Sequence, residues 1–207
     1  MLTSLDPRIR RWDLPASPDN QVAKKDLDQF QTYEVFHQKR ADTPFAYVGP
    51  VHAPDPEVAF LYAKEQYSRR STCTGLWVVK TQHVQLSPYV GDNESVYQAL
   101  PLPAVSDDGG PVRAFEIFHL KKRGKAHTHA GTVQASSYQA ALAQAREAFG
   151  DQHPCVNVWI IPADQMMRSA ESDLDLWATT TDKKYREPVA YKVLDKITAY
   201  KNQMRAV

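Results

Sequence analysis

The chain has 207 residues, 43% of them hydrophobic and 24% charged, and its 25 Lys plus Arg against 24 Asp plus Glu give a formal net charge of +1. That balance suits one large soluble domain or two small ones, and it argues against nucleic acid as a partner, which needs a one-sided basic surface. The longest apolar runs, such as 156–161, fall far short of the roughly 20 residues that cross a bilayer, so no membrane is expected either. The opening Met1-Leu2-Thr3-Ser4-Leu5-Asp6-Pro7 has no apolar signal core, and Cys73 and Cys155 read as free thiols, so the expected location is cytoplasmic.

Residues 1–31 read as an arm. Pro7, Pro15, Pro18 and the polar stretch 17–20 oppose a long element, while Leu2, Leu5, Ile9, Trp12, Leu14 and Phe30 are apolar anchors. From Tyr33 to His37 apolar and polar residues alternate, the pattern of a half-buried strand. A turn through 41–44 leads to a second strand over about 45–53. A helix then starts with Asp55 as its cap, Pro56 in the first position and Glu57 near the positive end of the dipole. Its apolar stripe is Ala59, Phe60, Ala63 and Tyr67. A third strand, 76–80, is centred on Trp77.

Residues 85–112, with Pro88, Pro101, Pro103, Gly109, Gly110 and Pro111, read as a linker carrying a short helix near 93–100. The same order then returns. Strands are expected at 115–119 and 127–135 about a turn at 123–125. A helix capped by Ser136 or Ser137 follows, with the stripe Ala141, Leu142, Ala145 and Phe149 and an end at Gly150. A last strand, 156–161, is centred on Trp159. After 167 the tail is polar, with an extended segment at 185–191 and further apolar side chains that include Trp177, Leu194 and Ile197.

The two halves match without a gap at an offset of 82, which lays Trp77 on Trp159, Glu34 on Glu116, His37 on His119, Gly49 on Gly131 and Cys73 on Cys155. One supersecondary unit is used twice. The expected partition is an arm 1–31, a first repeat 32–84, a linker 85–112, a second repeat 113–166 and a tail 167–207. The expected fold is α+β: two tandem strand-strand-helix-strand units, each a small, mainly antiparallel sheet with a helix on one face. The two are related by a pseudo-two-fold axis.

Candidate chemistry is sparse. Glu34–His37 and Glu116–His119 have the Glu-x-x-His spacing that grips iron on helices, but on strands positions i and i+3 point to opposite faces. His127 and His129, at i and i+2, share a strand face that is open to a metal, with Cys155 or His153 as third ligand. Spacing ties no third ligand to them, and the plainer reading is surface or interface histidines. Arg69-Arg70 and the cluster Lys121-Lys122-Arg123 with Lys125 suit a solvated face, a protein interface or a CoA phosphate. Trp77 and Trp159 read as core anchors. A nucleophile triad, a phosphate-binding glycine loop and a dinucleotide fingerprint are all missing from the chain.

Val51-His52-Ala53-Pro54-Asp55-Pro56-Glu57-Val58-Ala59, Tyr67-Ser68-Arg69-Arg70 and Leu76-Trp77-Val78-Val79 resemble the phenylacetic acid degradation B family, the B subunits of phenylacetyl-CoA ring epoxidases. The family's opening Tyr-Glu-Val-Phe strand stands at 33–36. Its His-x-His-x-Gly turn is kept in the second unit as His127-Thr128-His129-Ala130-Gly131, where the first has Phe45-Ala46-Tyr47. The Arg-Arg pair is kept in the first unit and replaced by Asp151-Gln152 in the second. Lys183-Lys184-Tyr185-Arg186-Glu187-Pro188 resembles the family's C-terminal segment. The usual member has one unit and this chain has two.

The resemblance implies a non-catalytic bridging subunit in a multicomponent oxygenase of aerobic phenylacetate degradation. A separate di-iron subunit there inserts one atom of O2 into the ring of phenylacetyl-CoA, with electrons from NADPH through a reductase. It implies no cofactor in this chain, a catalytic di-iron subunit and a scaffold subunit as partners, and a covalent counterpart of the family's dimer. His52, Arg69, Arg70, His127, His129, Trp12, Tyr185 and Arg186 are the motif and interface candidates. Two other readings stand beside it: a small metalloenzyme built on His127, His129 and Cys155, and a stand-alone acyl-CoA binder using the basic clusters.

Overall fold

The computed structural model describes residues 3–6, 30–68, 73–101, 110–152, 154–174 and 193–205. A two-residue strand, β1 (Thr3–Ser4), opens it. In the first unit β2 (Gln31–Gln38) and β3 (Ala46–Ala53) form an antiparallel hairpin, and β4 (Gly75–Lys80) pairs with the other edge of β2. Between β3 and β4 lies α1 (Pro56–Ala63), where the Asp55 carboxylate accepts from the Val58 amide at 2.8 Å, as the cap reading requires. A π-helical turn, Lys64–Ser68, extends it. The expected stripe faces inward: Ala59, Phe60 and Ala63 are buried, and Tyr67 packs at their end.

The second unit repeats this in β6 (Arg113–Leu120), β7 (Thr128–Ala135), α3 (Tyr138–Phe149) and β8 (Asn157–Pro162). Ser137 caps α3, accepting from the Ala140 amide at 3.2 Å. Gly150 does end α3, but at φ −61°, in ordinary helical conformation rather than the left-handed one. Its small size answers to a close approach, since a Cβ there would strike the Arg146 carbonyl. Each hairpin carries a bulge at the same place, between Val35 and Phe36 and between Ile117 and Phe118. Beside it Gly49 (φ 137°) and Gly131 (φ 154°) lie where an L side chain is strained, and each is covered by an aromatic ring from the helix end, Tyr67 and Phe149.

The residues between the units do more than connect them. β5 (Gln85–Leu86) pairs with β8, and α2 (Val96–Ala99) places Val96 and Tyr97 in the second unit's core. Part of the expected arm is likewise bound in: β1 pairs with β5, and the Leu5 amide donates to Val84 O at 3.0 Å. After β8, the strand β9 (Met166–Arg168) pairs with β4 of the first unit. Later in the tail, α4 (Val193–Arg205) is a helix with Leu194, Ile197 and Tyr200 exposed.

All described strands join one antiparallel sheet in the order β1-β5-β8-β6-β7-β3-β2-β4-β9. β4 and β5 stand six places apart in that order, yet only residues 81–84 separate them in the chain. Six strand spacings in a flat sheet span about 29 Å, while five Cα steps reach at most about 18 Å. The sheet therefore curls until its ends approach. The curl makes two kinds of core. The outer faces carry α1 on Tyr33, Val35 and Val78, and α3 on Phe115, Ile117 and Ile160. The inner face gathers Phe36, Trp77, Phe118, Trp159 and their neighbours from both units. The fold is thus α+β with two similar units about a pseudo-two-fold axis, as expected.

Candidate functional site

The pseudo-two-fold axis runs between β3 and β7, where Ala46 pairs with its own counterpart Thr128. The Tyr47 amide donates to His127 O and the His129 amide to Phe45 O, both at 2.8 Å, and the offset of 82 exchanges these two bonds. The side chains obey the same exchange. Phe36 and Phe118 meet each other at 4.1 Å between centroids. Phe45 stacks on Trp77 at 3.8 Å and His127 on Trp159 at 4.0 Å. Tyr47 meets Trp159 edge-on at 4.9 Å, and His129 meets Trp77 at 5.1 Å. Trp77 and Trp159 are core anchors, as read from the sequence, but of a core shared between the units.

Alternation along β2 and β6 turns Glu34 and Glu116 to this inner face, while Tyr33, Val35, Phe115 and Ile117 face the helices. His119 lies on the helix side, 2.7 Å from the Tyr97 hydroxyl and beside Phe149. The Glu-x-x-His pairs are split across the sheet, as strand geometry demands. Both carboxylates are buried, at 4% and 2% exposure. Glu34 accepts from the Tyr47 hydroxyl and the Thr81 hydroxyl, each at 2.7 Å. Burial and the neighbouring carboxylate push the Tyr47 phenol far up, so it stays a donor. Glu116 accepts from His129 Nε2 at 2.6 Å, Thr132 Oγ1 at 2.8 Å and Arg168 at 2.7 Å. Burial alone would raise the Glu116 carboxyl, but those three hydrogen bonds outweigh it and hold the group below its ordinary value. The Arg168 guanidinium also lies over the Trp77 ring at 4.6 Å. Beside Glu34 the corresponding space is an open groove of about 720 Å³ walled by Tyr47, Trp159, Thr81, Pro50 and His52.

The sequence candidates scatter around this centre. His52 lines the groove and lies 3.1 Å from Thr32 Oγ1. His127, read as a surface or interface histidine, is only 5% exposed and sits at the internal junction of the units. Its Nε2 donates to Asn157 Oδ1 at 2.9 Å, and burial lowers its pKa to about 4 despite that bond. His119 is likewise lowered to about 4, by burial first and then by its neighbours Lys121, His127 and His129. Cys155 belongs to the helix-side core of the second unit, apart from the inner aromatic core that holds His127 and His129. Among the described residues no group of three or more His, Cys, Asp or Glu is placed to hold a metal ion. Arg123 is engaged with Asp92 at 2.8 Å and with Val90 O. Trp12, Arg69, Arg70, His153, Tyr185 and Arg186 lie outside the described residues.

Sequence reasoning missed Tyr47, Thr81, Thr132, Asn157 and Arg168 as partners of the buried polar groups. One signal was available. At the shared offset Tyr47 faces His129, Gly75 faces Asn157 and Leu86 faces Arg168, so the polar differences between the units fall where the carboxylates and His127 are held. The fit of Gly75 is physical: a Cβ there would lie 2.9 Å from the Phe45 ring, which fills the place of the His127 imidazole.

Comparison with known proteins gives the same division into two. The profile of the family described as "Phenylacetic acid degradation B" matches residues 29–100 and again 112–198. The B subunit of 1,2-phenylacetyl-CoA epoxidase from Escherichia coli (strain K12) is 27% identical over 84 residues, which is 40% of this chain and 88% of that subunit. No solved structure matches the chain significantly.

Proposed function

The chain belongs to the phenylacetic acid degradation B family, and from that premise we propose that it is a non-catalytic bridging subunit of a multicomponent phenylacetyl-CoA ring epoxidase. The observation that carries the proposal is the double match, which coincides with the two structural units. The relative of known description is the length of about one unit, so this chain supplies in one polypeptide what two copies of such a subunit would supply. In this reading the oxygen chemistry belongs to a separate di-iron subunit, the electrons come from NADPH through a reductase, and a scaffold subunit completes the assembly. His52, Arg69, Arg70, Tyr185 and Arg186, with Trp12, are contact residues. The assembly works in the cytoplasm, where the buried thiols of Cys73 and Cys155 stay reduced.

The test is reconstitution. The purified chain, given phenylacetyl-CoA, O2 and NADPH, is expected to form no epoxide. It is expected to co-purify with the catalytic subunit and to raise turnover when added to that subunit and the reductase. Epoxide from the chain alone would overturn the reading, and so would a complete complex whose turnover ignores the chain.

A further inference from the structure

We propose that the groove beside Glu34 is a docking site for an arginine side chain of a partner subunit, seated on Glu34 and Trp159 as Arg168 is seated on Glu116 and Trp77 within this chain. The inference deepens the bridging reading and rests on it for the identity of the partner. Its basis is that the molecule contains its own template. At the offset of 82 Glu34 corresponds to Glu116 and Tyr47 to His129, while Trp159 exchanges with Trp77 across the axis. In the occupied copy the guanidinium comes from β9, at the residue paired with Trp77. In the other copy the equivalent residue, paired with Trp159 in β5, is Leu86, which bonds no carboxylate.

Glu34 is therefore a buried carboxylate whose hydrogen bonds come from two neutral hydroxyls, and among the described residues no Lys or Arg pairs with it. A carboxylate has about four acceptor sites, so the Tyr47 and Thr81 hydroxyls leave room for a donor that also carries charge. A buried charge without a counter-charge is unfavourable, and a cation arriving from outside removes that penalty. The groove of about 720 Å³ opens at this carboxylate, with the Trp159 ring as one wall. Arginine suits it better than lysine because its planar fork bonds a carboxylate while its face lies on an indole.

The probe is L-argininamide, titrated into the full-length chain and followed by calorimetry and by the indole NMR signal of Trp159, with L-lysinamide as control. Saturable binding is expected, at least about fivefold tighter than lysinamide. It should weaken about tenfold in Glu34→Gln, whose amide oxygen can accept from Tyr47 while its NH2 donates to Thr81 Oγ1, the Thr81 hydroxyl turning to Thr32 O. Leu86→Arg, which supplies the guanidinium in cis, is expected to abolish it, and circular dichroism of each variant checks that its loss of binding is not unfolding. Glu34→Gln should also weaken capture of the catalytic subunit by about tenfold. Binding absent both from wild type and from the variant with Arg8, Arg10 and Arg11 changed to lysine, or binding that Glu34→Gln leaves unchanged, overturns the site whether or not wild type captures its partner. Binding that emerges only after Arg8, Arg10 and Arg11 are changed to lysine makes this chain's own arm the occupant and overturns the partner assignment. Argininamide binding that needs Glu34, with no partner capture by wild type, keeps the guanidinium site and removes the bridging reading instead.

Discussion

In the first unit Glu34 accepts from two neutral hydroxyls, whereas in the second Glu116 accepts from an imidazole, a hydroxyl and a guanidinium. The backbone around them is the same: the same bulge, the same covered glycine, the same exchange of a short strand with the other unit. The difference teaches that duplication holds the pairing geometry fixed, because every strand partner depends on it, while inner-face side chains diverge as long as each buried carboxylate keeps its donors. Phe45 with Gly75 on one side and His127 with Asn157 on the other fill one space in two ways, the first apolar and the second hydrogen-bonded.

The largest expected effect probes what the units share. Phe36→Ala and Phe118→Ala should each cost about 3–5 kcal/mol, as for a fully buried aromatic ring. Because the two rings touch, the double variant should cost clearly less than the sum. Urea unfolding measures all three, and full additivity would mean that the rings do not share a core.

Next is the histidine that only the second unit has. His119 and His127 are held near pKa 4, below the ordinary 6.5, so folding requires them neutral. Between pH 6.5 and 4 the unfolded chain binds more protons, so their contribution is complete above 6.5 and is lost as pH falls toward 4. At pH 5 the loss is about 2 kcal/mol for each. His127→Phe, which imitates Phe45, should roughly halve the drop in stability between pH 7.5 and pH 5. At pH 7.5 it should cost about 1–3 kcal/mol because Asn157 Oδ1 loses its donor. Denaturant melts at the two pH values decide it, and an undiminished drop would show that His127 is not among the groups responsible.

A smaller difference separates the carboxylates. Glu116→Gln strands Arg168, which is 38% exposed and so partly rescued by solvent, and the expected cost is about 1.5–3 kcal/mol. Glu34→Gln should cost less than about 1 kcal/mol, since its partners are neutral. The Glu116 carboxyl is lower in the fold than when unfolded, so its stabilisation is present above about pH 4.5 and lost as pH falls through the folded value. Arg168→Leu, the first unit's choice, should narrow the gap between the two glutamine variants in the same unfolding assay. Smallest are the helix caps: Asp55→Ala and Ser137→Ala should each cost about 1 kcal/mol, read from the thermal midpoint.

The strands, the helices, the caps and the repeat were legible in the sequence because each rests on neighbours in the chain. Alternation at Tyr33–His37, the stripe Ala59, Phe60, Ala63 and Tyr67, and Asp55 before Pro56 are local signals, and the offset of 82 doubled them. The geometry that splits each Glu-x-x-His pair across the sheet was also readable, since it follows from the two-residue period of a strand. In the segment 85–112 the short helix expected near 93–100 is present, while the prolines and glycines hide a two-residue strand, too short to leave a pattern.

What the sequence left open depends on contacts between residues far apart in the chain. The curl of the sheet brings β5 to β8 and β9 to β4, and with it Arg168 to a carboxylate 52 residues earlier. His127 reads as a surface or interface residue because a histidine carries no mark of burial; the pairing of β3 with β7 about the axis is what stacks it on Trp159. Periodicity and capping are one-dimensional, so the chain alone sets which elements form and that there are two of each. Which edges meet, and which buried charge keeps a partner within the chain, depends on packing in three dimensions, where apolar area drives the curl and each buried carboxylate must then find its donors.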